Sequence, residues 1–141
     1  MAKLNPFLRF NDGKCREAME FYKSIFDGKV EYMTMGESPM GKDFPKEKHG
    51  LIMHSKLSSG SVIFYGSDMM RDTAIIGDNV GMSLLSESEK ELNEHFSKLS
   101  EGGEIMMKPK KEFWGGIFGM TTDKYGVEWM LNFQVEPMKS R

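Results

Sequence analysis

Apolar residues recur along this chain in two periods, and the order in which the periods alternate predicts its elements. Residues 4–10 set Leu4, Pro6, Leu8 and Phe10 at every second position, the period of a half-buried strand, with Pro6 near its start or edge. Asn11-Asp12-Gly13 offers helix-start chemistry. Cys15, Ala18, Met19, Tyr22, Ile25 and Phe26 then follow at helical spacing until Asp27-Gly28 stops the run. A strand over 30–35 is expected next. The stretch 36–49, with Pro39, Gly41 and Pro45 and no period, is expected as a surface loop of the kind that gates a pocket. Residues 50–57 and 61–65 alternate on either side of Ser58-Ser59-Gly60, a hairpin whose positive-φ position falls to Gly60.

After a second loop at 67–78 the same order returns. The pattern predicts a strand over 79–85, a helix over 88–100 opening on a Ser86/Glu89 capping box and closing at Gly102-Gly103, a strand over 104–108, and a hairpin over 113–133. Phe21-x-Lys23 with Gly28-x-Val30 recurs as Phe96-x-Lys98 with Gly103-x-Ile105, an offset of 75 positions. Identical element order in both halves makes a duplicated β-α-β-β-β unit the better account, with pseudo-repeats 4–66 and 79–134 inside one domain, 1–141. The expected fold class is α+β. Tandem β-α-β-β-β modules form curved, barrel-like mixed sheets around a cavity, with the helices outside.

Composition narrows the function classes. A chain of 141 residues that is 39% hydrophobic suits one compact domain, and a net charge of −2 gives no basic footprint. Lys108-Pro109-Lys110-Lys111 reads as a solvated loop, so no nucleic-acid partner is expected. No apolar run approaches the ~20 residues of a membrane span, and Met1 to Pro6 lacks the apolar core of a signal peptide. The expectation is a soluble, cytoplasmic protein with no membrane partner. The single Cys15 cannot form an internal disulfide and falls on the apolar face of the first helix, where a small buried hydrophobe is expected rather than a nucleophile.

Four separated motifs carry a family resemblance. Pro6-Phe7-Leu8-Arg9-Phe10 with Ala18-Met19-x-Phe21-Tyr22-x-x-Ile25-Phe26, then Ile52-Met53-His54, then Gly66-Ser67-Asp68, and last Trp114-Gly115 through Phe118-Gly119 to Asp123-x-x-Gly126-Val127-x-Trp129-x-x-Asn132 stand in this order. Together they resemble the PhnB-like branch of the vicinal-oxygen-chelate (glyoxalase/bleomycin-resistance/dioxygenase) superfamily. The departures are Phe7 for a usual Tyr, Asp27-Gly28 for Gly-Ala, and Lys124-Tyr125 for Pro-Phe in the last turn. The resemblance implies the fold just described, a small-molecule ligand in the concave cavity, and a homodimer.

It also implies a chemistry to look for. Enzymes of the superfamily hold a divalent metal with His and Glu side chains, and the metal polarises vicinal oxygens of substrate. Where such enzymes often place a His, the first strand here offers Asn5, Phe7 and Arg9; four residues after the last turn glycine, where they place a Glu, stands Met130. His54 and Glu128 are the candidates for an acid/base pair or for an incomplete metal site for Zn, Ni, Mn or Fe, with no metal as the alternative. His54 alternates with Ile52 and Lys56, and Glu128 shares a face with Met130. His49 lies in the long loop and His95 in the second helix, facing outward. Arg9 is the candidate for an anionic group on a ligand, and Phe7, Tyr65, Trp114, Trp129 and Met130 are candidate cavity lining. Against these stand plainer roles: a hydrogen-bonded His54, a solvated Glu128, an exposed strand Arg9 and core aromatics.

Two functions compete, ahead of a third, an interaction module whose exposed sheet edges pair with a partner, which ranks last because nothing reads as a partner-recognition segment. One is an enzyme, a metal-dependent lyase, isomerase or dioxygenase in the glyoxalase manner. The other is a non-catalytic protein that sequesters a ligand as bleomycin-resistance members do. A methyltransferase label sometimes given to PhnB-like proteins finds little support, because no Gly-x-Gly-x-x-Gly turn follows a strand and opens a helix.

Overall fold

The computed structural model describes residues 1–134; the last seven positions of the expected 1–141 domain lie outside the described residues. The chain divides into two compact units, Met1–Ile75 and Ile76–Arg141. The first runs β1 (Phe7–Phe10), α1 (Cys15–Phe26), β2 (Lys29–Thr34), β3 (Ile52–Ser59) and β4 (Val62–Asp68). The second runs β5 (Met82–Leu85), α2 (Glu89–Ser100), β6 (Glu104–Lys111), β7 (Gly116–Thr122) and β8 (Glu128–Gln134). Each unit is thus β-α-β-β-β, as the periods predict, and each builds one mixed four-stranded sheet. The orders are β1-β4-β3-β2 and β5-β8-β7-β6, with the first pair in each parallel and the rest antiparallel. The class is α+β. Neither sheet closes on itself, so the barrel-like expectation reduces to two open sheets.

Each sheet buries one face under its own helix. Cys15, Ala18, Met19, Tyr22, Ile25 and Phe26 of α1 are buried, as are Phe10, Leu57 and Phe64 of the first sheet. Tyr22 meets Phe64 edge-on, with ring centroids 5.4 Å apart. In the second unit Leu92, Phe96 and Leu99 of α2 are buried, with Ile117, Trp129 and Leu131 in the sheet. These helix positions follow Ala18, Tyr22 and Ile25 by 74 residues rather than 75. The offset of 75 returns only after the helices, where Asp27 and Gly102 both take positive φ. The extra residue is Glu101 at the end of α2, outside the helical period.

Several local expectations are corrected. The capping box lies two residues later than Ser86/Glu89: Ser88 is the N-cap, its hydroxyl accepts from the Glu91 N–H, and the Glu91 carboxylate accepts from the Glu87 N–H. Lys108-Pro109-Lys110-Lys111 is strand rather than loop, the end of edge strand β6, where Pro109 is tolerated beside a register shift. The stretch 36–49 is the surface loop expected, mostly exposed but pinned inward at a few positions. Met35, Ser38, Gly41 and Phe44 are buried, and the His49 Nε2–H donates to the Gly41 and Phe44 carbonyls at 2.8 and 3.0 Å. His95 is half-buried rather than outward-facing, and burial holds its pKa below the usual histidine range. No helix among the described residues is long and apolar enough to cross a membrane.

Candidate functional site

The first sheet presents its candidates on the face turned away from α1. Strand register fixes this: Phe7 pairs with Tyr65 and Arg9 with Ser67, while Leu8 and Phe10 alternate to the helix side. On β3 a bulge matters. Met33 pairs with His54 but Thr34 with Ile52, which leaves Met53 as the extra residue. Ile52 is therefore buried together with Ser55 and Leu57, rather than sharing a face with His54 and Lys56 as simple alternation suggests. The bulge leaves the His54 imidazole exposed between two aromatic rings. Its centroid is 6.3 Å from that of Phe7 and 5.4 Å from that of Tyr65.

Arg9 completes the group, with its guanidinium carbon 5.4 Å from the Phe7 ring centroid. Among the described residues Arg9 and Lys56 have no carboxylate within ion-pair reach, and neither ring nitrogen of His54 makes a hydrogen bond. Lys56 stands opposite Tyr65 on one side and Glu31 on the other. Phe7, Arg9, His54 and Tyr65, four candidates from three strands, thus form one aromatic and cationic patch. Lys56 was legible as a cation alternating with His54 and belongs with them.

The candidates of the second unit divide differently. Glu128 and Met130 lie on β8 on the face away from α2, both half-buried, and Met130 is opposite Ser83 and Met120. Trp129 is corrected to a core residue. It is 2% exposed, and its indole N–H donates to the Asp123 carboxylate at 2.8 Å. Asp123 also accepts from the Tyr125 and Val127 N–H groups at 2.8 and 3.1 Å, so the Asp-x-x-Gly turn is a structural staple. Trp114 is 44% exposed in the β6–β7 turn and folds over Gly116, where any Cβ would collide with its ring. Glycine there is needed for that close approach.

A divalent metal fits this donor set poorly. Among the described residues no group of three or more His, Cys, Asp and Glu side chains is placed to share an ion. His54 is flanked by the Phe7 and Tyr65 rings. Cys15 offers nothing either: fully buried, with its sulfur 3.6 Å from the Ser55 hydroxyl, its thiol is pushed up to about 12 chiefly by burial. The Gly66-Ser67-Asp68 motif is likewise structural. Asp68 accepts from the Cys15 N–H at 2.9 Å and the Ile52 N–H at 2.8 Å, tying the start of α1 to that of β3.

Comparison with known proteins gives a consistent result. Residues 3–131 match the Glyoxalase/Bleomycin resistance protein/Dioxygenase superfamily. Protein YjdN of Escherichia coli (strain K12) is 30% identical over 138 residues, covering 92% of this chain and 93% of that protein. The crystal structure of protein PA1353 from Pseudomonas aeruginosa is 34% identical, with a TM-score of 0.83 over 95% of this chain and 98% of that one. The structure described as a putative 3-demethylubiquinone-9 3-methyltransferase, PhnB protein, from Bacillus cereus is 27% identical, with a TM-score of 0.76 over 94% of this chain and 99% of that one.

Proposed function

The chain belongs to the glyoxalase/bleomycin resistance/dioxygenase superfamily, and from that premise we propose that its first sheet binds a small molecule carrying an anionic oxygen group. The observation that carries this is the convergence of Arg9, His54, Phe7 and Tyr65 on one face, with Arg9 in no ion pair among the described residues. An unpaired guanidinium stacked on a ring presents its donor fork to a carboxylate or phosphoryl group. The two rings supply apolar walls, and the free imidazole adds a donor or an acceptor beside the anion.

Ligand binding is the core of this proposal, and the reaction is left unassigned because one scaffold of this kind hosts unrelated activities. Sequestration, in the manner of bleomycin-resistance proteins, needs only the patch described. Catalysis would use His54 to move a proton, with Glu128 as the expected second group. Superfamily members often bind divalent metals, yet the donor set here is incomplete, so no step is routed through a metal. The methyltransferase description of the Bacillus cereus protein is not carried over, because this chain lacks a Gly-x-Gly-x-x-Gly turn. The lone buried Cys15 suits a reducing compartment such as the cytoplasm.

Binding of benzoate and phenyl phosphate, followed by backbone amide NMR of wild type, Arg9→Ala and His54→Ala, tests the proposal. Shifts should map to β1, β3 and β4, and Arg9→Ala should weaken binding about tenfold, the loss of one charge-assisted contact. Equal affinity in wild type and Arg9→Ala would remove the anion site. Zn²⁺, Ni²⁺, Mn²⁺ and Fe²⁺ titrated into wild type and His54→Ala separate the readings: tight uptake lost in the variant would favour the metalloenzyme over sequestration.

A further inference from the structure

The first unit ends in a connector, residues 69–75, that belongs to no strand or helix, and the second unit begins at Ile76. Contacts fasten this connector at intervals all the same. The Met69 N–H donates to the Phe10 carbonyl at 3.0 Å, extending the β1–β4 ladder. Lys48 Nζ then donates to the Met70 carbonyl at 2.7 Å, and the Arg71 guanidinium carbon lies 4.5 Å from the centroid of the Phe44 ring. At the far end the Asn11 carboxamide closes on Ala74 twice, donating to its carbonyl at 3.1 Å and accepting from its N–H at 2.8 Å.

The middle contacts come from the loop 36–49, which holds its own shape. The Met35 N–H donates to the Leu51 carbonyl at 2.8 Å and the Gly36 N–H to the His49 carbonyl at 3.0 Å, so the ends of the loop are drawn together. Gly41 packs so closely that a Cβ there would lie 2.8 Å from the Met35 carbonyl oxygen. With the His49 bonds to the Gly41 and Phe44 carbonyls, these contacts make the loop one body that carries Lys48 and Phe44 to the connector. Phe44 is 9% exposed, so the ring under Arg71 is itself held in place.

We propose that the loop 36–49 and the connector 69–75 form a latch, a conformational device that opens and closes as one cooperative unit while the first sheet stays folded. Each contact across it is modest alone, and a segment that lifts away strips the other of its partners, so the two lose their order together and at less cost than a sheet strand. Closed, the latch pins the chain to the first unit as far as Ala74 and covers Phe44. Open, it frees the chain ahead of Ile76 and bares the Phe44 ring. Neither Arg9 nor His54 takes part, so the latch operates whether or not the first sheet binds an anion.

Native-state amide hydrogen exchange on the full chain tests this, with Asn11→Ala and Lys48→Met as variants. In wild type the protection factors of Gly36, Phe44, His49 and Ala74 should agree within about threefold and lie about a hundredfold or more below that of Leu57 in β3. Among the described residues the Asn11 side chain bonds to Ala74 and to no residue of the loop, so its removal reaches the loop only through the connector. Asn11→Ala should therefore speed exchange at Gly36, Phe44 and His49 by about tenfold, the scale of a lost hydrogen bond. Lys48→Met should do the same at Ala74. Unequal protection of Gly36 and Ala74 in wild type, protection of the loop equal to that of Leu57, or loop amides indifferent to Asn11→Ala would each overturn the proposal. If Asn11→Ala does not fold, the wild-type comparison and the response of Ala74 to Lys48→Met still decide.

Discussion

Two aspartates hold the turns from which the sheets take their shape. Asp68 and Asp123 are both nearly inaccessible, and both direct their carboxylates at backbone N–H groups that no strand or helix satisfies. Hydrogen bonds to a charged acceptor are the stronger kind, so either residue replaced by alanine leaves several buried donors unpaired at once. His95 is a residue with a pH consequence. Burial lowers its pKa in the folded chain, Lys98 lowers it further, and Glu91 and Glu94 act the other way. The unfolded chain therefore takes up a proton that the native chain resists. The His95 contribution to stability should be flat above the ordinary histidine pKa, about 6.5, and should be lost as pH drops below it. Urea midpoints between pH 8 and pH 5 check this: His95→Gln should flatten the decline, and an unchanged slope would show that His95 is not its source.

The clearest contrast at the level of elements is at the start of α2. Ser86-Glu87-Ser88-Glu89-Lys90-Glu91 contains the Ser-x-x-Glu spacing twice, so the pattern alone permits either box. Packing chooses the later one, because a helix from Glu89 sets Leu92, Phe96 and Leu99 on the buried side together. Ser88→Ala should cost about 1 kcal/mol of unfolding free energy. Ser86→Ala should change it by less than about 0.5 kcal/mol, since its hydroxyl makes no bond to lose. Equal losses in equilibrium denaturation would contradict the assignment. The same kind of ambiguity explains what the sequence left open elsewhere. Strand and helix periods were legible because each element buries one face. The bulge at Met53 was not legible, since one extra residue moves Ile52 across the sheet without leaving a mark in the alternation. Trp129 looked like a cavity residue by type, and only the Asp123 bond shows that its polar edge is spent inside the fold. The anchoring of 36–49 was hidden because His49 reaches the Gly41 and Phe44 carbonyls through a turn with no period.

Across the whole molecule, two units with the same element order each bury one sheet face under a helix and present different outer faces, one with Arg9 among aromatic rings, the other rich in thioethers. β6 stands at the edge of its sheet, and Ile105, Met106 and Met107 are 46%, 52% and 41% exposed in succession. An apolar edge of this kind invites a second chain. We expect a homodimer, seen in sedimentation equilibrium as twice the 16.1 kDa chain mass, that Ile105→Lys with Met106→Lys weakens. A monomer at 50 µM (about the concentration of a routine run) would end that expectation. The unequal burial of the two tryptophans has an optical consequence. Trp129 is sealed and Trp114 is half open, and both lie in the second unit. Acrylamide should quench Trp114 and spare Trp129, which separates movement of the β6–β7 turn from loss of the core. Tryptophan emission therefore originates only in the second unit, and a melt followed by it alone carries no direct signal from the sheet that holds His54.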